Sequence, residues 1–482
     1  MNRVAAVLSG IVLGLTVAGS ELPAAESTPT EVRRSLIRAA EFYTRHVATH
    51  GGYVYRYSAD LQKSEGEGKT TRDTVWVQPP GTPTVGLALL EAWERTGEPV
   101  LLEGATAAGE CLIQGQLRSG GWTDRIEFAD SDRRKFAYRV DPPAKKRQFN
   151  VSTFDDDKTQ SALRFLIRLD AARKFQDAPL HEAVTFALEA ILKNQFPNGG
   201  WGQGFETPPD PAKFPVQPAS YPESWPRKYP GGDYWWFYTF NDNAIADTIE
   251  MLLLAGEVYR EDRYQAAALK AADFILLAQM PEPQPAWAQQ YDFQMHPVWA
   301  RKFEPAAISG GESQGLIRTL LDVYVETGDR KYLEPIPRAL AYLKRSELPD
   351  GRLSRFYELQ TNKPLYLTKT YELTYDDGDL PTHYGFQVPS RVNELQKQYD
   401  RIAGLSADKL VRQRRSRAAP KSSQPSADEV ARVVEALDDR GAWVEPGRLK
   451  YHGKADPTDR IIDSATFARN LDVLSRAVAA KP

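Results

Sequence analysis

Leu112-Ile113-Gln114-Gly115-Gln116-Leu117-Arg118-Ser119-Gly120-Gly121-Trp122 returns later as Leu192-Lys193-Asn194-Gln195-Phe196-Pro197-Asn198-Gly199-Gly200-Trp201. Each stretch ends an apolar, helix-periodic run in a polar turn and then a tryptophan, the pattern of a helix stop followed by a tight turn. Weaker copies stand at His50-Gly51-Gly52-Tyr53, at Leu277-Ala278-Gln279-Met280-Pro281 leading to Trp287, and at Leu348-Pro349-Asp350-Gly351-Arg352, roughly 70 to 80 residues apart. A motif that recurs at such an interval signals duplication of one supersecondary unit.

Between the copies lie two apolar segments with helical spacing. Leu163-Leu166-Ile167 with Ala183-Phe186-Ala187-Ile191 is one pair, and Ile245-Ile249-Leu252-Leu253 with Ala268-Ala271-Ala272-Ile275 is another. Short polar turns, such as Arg95-Thr96-Gly97-Glu98 and Glu326-Thr327-Gly328-Asp329, join the members and make them antiparallel neighbours. A helix pair cannot bury its own apolar face, so the pairs must stack. Their small number favours a ring over an open solenoid. The expected fold is all-α, an α/α toroid: an incomplete α/α barrel of helix-pair repeats whose turns gather at one rim.

Departures from the repeat mark the remaining organisation. Residues 204–236 are rich in Pro, Tyr and Trp and read as a long loop over one end of the ring. The pattern turns strand-like over 366–389, and from Ser390 onward it is charged and helical, broken by Ala418-Ala419-Pro420-Lys421-Ser422-Ser423-Gln424-Pro425-Ser426. These shifts predict a toroid over 26–389 and an appended helical extension over 390–482, with a linker near 416–427. The start, Met1-Asn2-Arg3 followed by an apolar run from Val4 to Val17 and small residues to Ala25, reads as a signal peptide over 1–25. That run falls short of the ~20 apolar residues that span a bilayer. A secreted or periplasmic protein without stable membrane insertion is expected.

Composition narrows the chemistry. With 41% hydrophobic residues in a chain of 482, a large core is available. Basic residues number 61 against 64 acidic ones, and the net charge of -3 gives no field suited to nucleic acid. Cys111 is the only cysteine and the histidines lack ligand spacing, so a metal would rest on oxygen ligands. Three polar clusters stand at helix starts: Thr153-Phe154-Asp155-Asp156-Asp157-Lys158-Thr159, Thr239-Phe240-Asn241-Asp242-Asn243-Ala244 and Ile308-Ser309-Gly310-Gly311-Glu312-Ser313. Helix capping accounts for one such side chain at each start. Three adjacent aspartates repel one another, and a hard cation would relieve them. Arginines interleaved with aromatics occur at Trp299-Ala300-Arg301-Lys302-Phe303-Glu304-Pro305 and at Arg352-Leu353-Ser354-Arg355-Phe356-Tyr357, a pattern that serves carboxylate recognition or an ordinary salt-bridged surface.

Taken in order, these clusters together with Asn198-Gly199-Gly200-Trp201-Gly202-Gln203, Trp287-Ala288-Gln289-Gln290-Tyr291-Asp292 and Arg355-Phe356-Tyr357-Glu358-Leu359 with Thr361-Asn362-Lys363-Pro364 resemble the family-ten pectate lyases over roughly 31–366. The resemblance implies calcium-assisted β-elimination of polygalacturonate or a related uronan; a monomer is expected. It assigns Arg355 as the base, Asp155, Asp156 and Asp242 to the metal, and Arg301, Lys158, Trp201, Tyr357, Asn362 and Lys363 to the substrate. Two departures accompany it: Asp155-Asp156 stands where the family commonly has Asp-Asn, and residues 375–388 have no family counterpart. The alternatives are an α/α-toroid glycoside hydrolase, using two carboxylates as acid and base, and a non-catalytic glycan-binding protein.

Overall fold

The computed structural model describes residues 28–418 and 423–479; the expected signal peptide and part of the expected linker lie outside them. The helices form an α/α toroid. Thr82–Thr96, Lys158–Ala172, Ala244–Tyr259, Gly310–Thr327 and Val392–Ala403 pack each against the next, and Ser464–Ala479 packs against Thr82–Thr96. Pro29–Phe42, Pro99–Gln114, Ala178–Lys193, Asp262–Leu277 and Ile336–Arg345 cover the outside of this inner series. A continuous apolar core between the two layers includes Leu89, Leu166, Leu252 and Leu320. Among the described residues, no helix is long and apolar enough to cross a membrane.

The repeated sequence motif builds the same turn each time. Trp122, Trp201 and Trp287 are buried, and each indole N–H donates to a carbonyl of the preceding outer helix: Leu112 O at 2.8 Å, Ile191 O at 3.0 Å and Ile275 O at 2.8 Å. The side-chain amides of Gln116, Gln195 and Gln279 carry each turn across to the next repeat, donating to Ala183 O, Ala267 O and Pro335 O. Gly199 must be glycine: its φ is +97°, and a Cβ there would sit 2.1 Å from Lys270 O. The turn therefore fastens neighbouring repeats to one another.

After each turn a short strand pairs antiparallel with the strand that precedes an inner helix. Thr74–Trp76 pairs with Arg125–Glu127, Ser152–Thr153 with Gly204–Phe205, Tyr238–Thr239 with Gln290–Tyr291, and Ile308–Ser309 with Phe356–Tyr357. The same relation joins the two ends of the chain, where Arg460–Asp463 pairs with Arg56–Ser58. Buried Glu65 accepts from the backbone N–H groups of Lys450 and Tyr451 beside this seam. Beyond the last rim pair, Pro364–Leu367 pairs with Phe356–Tyr357 and with Leu373–Thr374, and Gln387–Pro389 returns to pair with Arg352–Ser354.

The C-terminal helices pack into the ring itself. Val392–Ala403 and Ser464–Ala479 belong to the inner helix series, and Trp443 repeats the indole bond of the earlier turns, donating to Val433 O at 2.9 Å. High local charge disguised Val392–Ala403, which keeps only a narrow buried stripe of Val392, Leu395 and Ile402. A chain ending at Gly447 would leave Phe467, Leu471 and Leu474 unavailable to cover the first repeat. Such a truncation is expected to abolish cooperative thermal unfolding; a sharp melt close to that of the full chain would show the segment to be dispensable.

Candidate functional site

At two successive rim corners the chain adopts the same unusual conformation. Asp156 and Asp157 have φ of 46° and 62°, and Asp242 and Asn243 have φ of 48° and 57°. Asp and Asn tolerate this left-handed region better than other side chains with a Cβ. Thr153 and Thr239 brace the two corners identically, each hydroxyl accepting from the backbone N–H two residues on at 3.1 Å. The corners lead into the inner helices Lys158–Ala172 and Ala244–Tyr259, and they bring a carboxylate oxygen from each of Asp155, Asp156 and Asp242 within 4.8 Å of the others.

The surroundings only partly neutralise this acidity. Buried Lys158 pairs with Asp155 at 2.7 Å, and Gln203 donates to the other oxygen of Asp155. Gln78 donates to Asp156 at 3.1 Å. Arg301 reaches Asp242 at 3.4 Å but is gripped more closely by Glu304, at 2.7 and 2.6 Å. Burial pushes the Asp242 carboxyl up to about 8, against the pull of Arg301 and with a contribution from Asp155. Burial also raises Asp156, with repulsion from Asp155 adding to it. Asp155 shares a hydrogen bond with Asp242; despite burial, Lys158 and that bond hold it below the usual carboxylate range. An all-oxygen group with more negative than positive charge suits a hard divalent cation.

Arg355 lies along the same rim. Its backbone carbonyl accepts from Gly310 N at the start of the inner helix Gly310–Thr327. Its Nε donates to Gly385 O at 2.5 Å, Nη1 reaches Glu312 at 3.4 Å, and the guanidinium lies over the Tyr384 ring at 4.7 Å. The Tyr384 hydroxyl in turn donates to Glu304 at 2.9 Å. A contact path thus runs from the acidic corners through Arg301, Glu304 and Tyr384 to Arg355. The loop over 204–236 adds Tyr234, whose hydroxyl is pushed up to about 12 by burial against the pull of Arg301, with Glu304, Asp155 and Asp242 adding.

The structure brings together Asp155, Asp156, Asp242, Lys158 and Arg301 and sets four other candidate residues apart from them. Trp201 and Tyr357 are buried, the second donating to Ser346 O at 2.6 Å, so neither offers a face to a sugar. Asn362 is spent inside a turn, accepting from Tyr342 at 2.5 Å and donating to Ser346 at 2.9 Å. Lys363 is exposed over the Tyr375 ring, outside the cluster of acidic corners. Sequence reasoning missed Glu304 as the shared partner of Arg301 and Tyr384. Its place three residues after Arg301 was the available signal. Gln78 and Tyr384 lay outside every motif.

Residues 116–348 match the family described as pectic acid lyase. The matched span contains both acidic corners and Arg301 and ends before Arg355. The matched span, just under half of the chain, is similar to the pectic acid lyases and supports a polysaccharide lyase. No curated protein matched the sequence. Among solved structures, it is similar to the family 10 polysaccharide lyase from Cellvibrio cellulosa, at 18% identity over 67% of this chain and 98% of that one, with a TM-score of 0.45. A variant of that lyase in complex with trigalacturonic acid gives 19%, 67%, 99% and 0.46 for the same quantities. Cellobiose 2-epimerase from Bacillus thermoamylovorans is similar at 13% identity over 93% and 98% of the two chains, with a TM-score of 0.44.

The raised Asp242 carboxyl ties stability to pH. An unfolded aspartate titrates at ~3.9, so between there and about 8 the native state keeps on Asp242 a proton that the unfolded chain has released. Stability therefore declines as pH rises across that window. Asp247, raised by burial and by Asp157 to about 7, adds to the decline. Without divalent cations the melting temperature should fall over this range, Asp242→Asn should flatten the fall, and calcium at the upper end should restore stability. A profile identical in wild type and Asp242→Asn would refute the assignment. Trp201→Phe, which removes the indole bond and part of a buried ring, should cost at least about 1 kcal/mol of stability while leaving glycan affinity unchanged in calorimetry.

Proposed function

We propose that this polysaccharide lyase cleaves polygalacturonate or a related uronan by β-elimination with calcium as its cation. The observation that carries the reading is the single contact path joining the acidic corners, Arg301 and Arg355 on one rim. Asp155, Asp156 and Asp242 would hold the cation. When bound, it supplies positive charge that stabilises the carbanion character developing beside a uronate carboxylate. The leader-like sequence over 1–25 supports action outside the cytoplasm.

The chain's own groups divide the remaining work. Glu304 engages Nε and Nη2 of Arg301, leaving Nη1 without a hydrogen bond among the described residues and suited to a uronate carboxylate. Arg355 has Nε and Nη1 engaged, so Nη2 is the atom that faces the reaction as proton acceptor. An arginine accepts a proton only as the neutral guanidine; Glu312, 3.4 Å from Nη1, opposes that form, and the charge of a bound cation would favour it. In the reaction the C5 hydrogen leaves as a proton, its electron pair forms the C4–C5 double bond, and the C4–O bond breaks. The departing sugar oxygen takes that bond's electrons and is protonated. Lys158 and Gln203 keep Asp155 in place throughout.

Incubation with polygalacturonate and calcium should generate the ultraviolet absorbance of an unsaturated uronide, and a chelator should suppress it. Arg355→Ala should lower kcat by at least about a hundredfold, as for loss of a positioned general base, with the melting temperature retained. Asp242→Ala should raise the calcium concentration needed for half-maximal rate. Reducing ends without ultraviolet absorbance would instead establish hydrolysis, and binding without cleavage would establish a glycan-binding protein.

A further inference from the structure

Residues 371–389, which include the stretch without a family counterpart, fold back over the arginine side of the rim. Around them forms a small apolar cluster separate from the toroid core, with Trp299, Phe356, Leu365, Leu367 and Phe386 buried and Phe303, Tyr371 and Tyr384 against it. The returning backbone grips Arg355 at two points: Phe386 O accepts from its backbone N–H at 2.8 Å, and Gly385 O accepts from its Nε at 2.5 Å. Tyr384, between these contacts and Phe303, touches both arginines' environments at once. Its ring lies under the Arg355 guanidinium at 4.7 Å, and its hydroxyl donates to Glu304 at 2.9 Å, the carboxylate that holds Arg301. Gln289, which also donates to Glu304 at 3.0 Å, donates to the same hydroxyl at 3.3 Å.

We infer that Tyr384 is a positioning residue that fixes Arg355 relative to Arg301, its ring seating the first and its hydroxyl, through Glu304, the second. The inference rests on the proposed elimination, in which one arginine takes the proton and the other receives the carboxylate. Elimination demands that these two functions meet neighbouring atoms of one sugar, and a guanidinium on a long flexible side chain does not hold such a spacing unaided. A face-on aromatic ring and a buried hydroxyl–carboxylate bond restrict both arginines at once. The hydroxyl is raised well above its ordinary value by burial, with Glu304 and Glu312 adding, and so remains a donor to Glu304.

The two halves of the side chain make the inference testable. Tyr384→Phe keeps the ring and removes the hydroxyl, so KM for polygalacturonate should rise about tenfold while kcat stays close to wild type. Tyr384→Leu removes both, and kcat should also fall about tenfold. A purely structural tyrosine would lower the melting temperature without this split between KM and kcat, and that outcome would overturn the inference. An independent reading comes from protein labelled with nitrogen-15 arginine. The Arg355 Nε–H signal, identified by its loss in Arg355→Lys, should carry a ring-current shift that persists in Tyr384→Phe and vanishes in Tyr384→Leu. An unshifted signal in wild type overturns the inference. Should wild type leave polygalacturonate uncut, the proposed function fails, and the spectrum alone still decides whether Tyr384 seats Arg355.

Discussion

The left-handed corner between a rim strand and its inner helix is the constraint on which the site depends. Two residues in succession at positive φ are costly for anything but Gly, Asn or Asp, and here the residues are Asp156-Asp157 and Asp242-Asn243. The corner turns the chain sharply enough for carboxylates of two different repeats to meet. The same residue types that tolerate the backbone thus provide the negative charge. Once they are grouped, the remaining features answer to them: Lys158 and Gln203 on Asp155, Gln78 on Asp156, and Arg301 beside Asp242.

Arg301 could have collapsed wholly onto the acidic group. Glu304 prevents that by taking two of its nitrogens at shorter range than Asp242 does. A buried carboxylate that competes for an arginine keeps both the arginine and the acidic corner only partly satisfied, which leaves capacity for a ligand of either sign. Such residual electrostatic imbalance is a common mark of functional sites.

Much of this was legible in the order of residues. Gly120, Gly199 and the tryptophans that follow them announce the repeat because only glycine accepts those turns and the indole satisfies a helix-end carbonyl. The acidic corners were legible because like charges rarely gather without cause. Trp201 and Tyr357 misled for the opposite reason: an aromatic beside a polar motif reads the same whether it faces a sugar or lies beneath the turn that carries the motif. The turn at Asp438-Asp439-Arg440-Gly441-Ala442-Trp443 escaped notice because one glycine stands there in place of two and the helix before it is short and charged. Tyr384 was not legible at all. A strand-like pattern over 366–389 does not say which rim group a given side chain meets, and the partners of Tyr384 are set by contacts distant in sequence.

The pairing of Arg56–Ser58 with Arg460–Asp463 bears on how the molecule comes to exist. The partner of this rim strand follows it by about 400 residues, so the first helix pair must wait through their synthesis with one flank uncovered. Closing a loop of that size is entropically modest, but the contact is about as non-local as the chain allows, and such topologies assemble slowly. During that wait the unpaired strand is exposed to any passing edge, which makes nascent chains of this toroid natural clients for a holding chaperone.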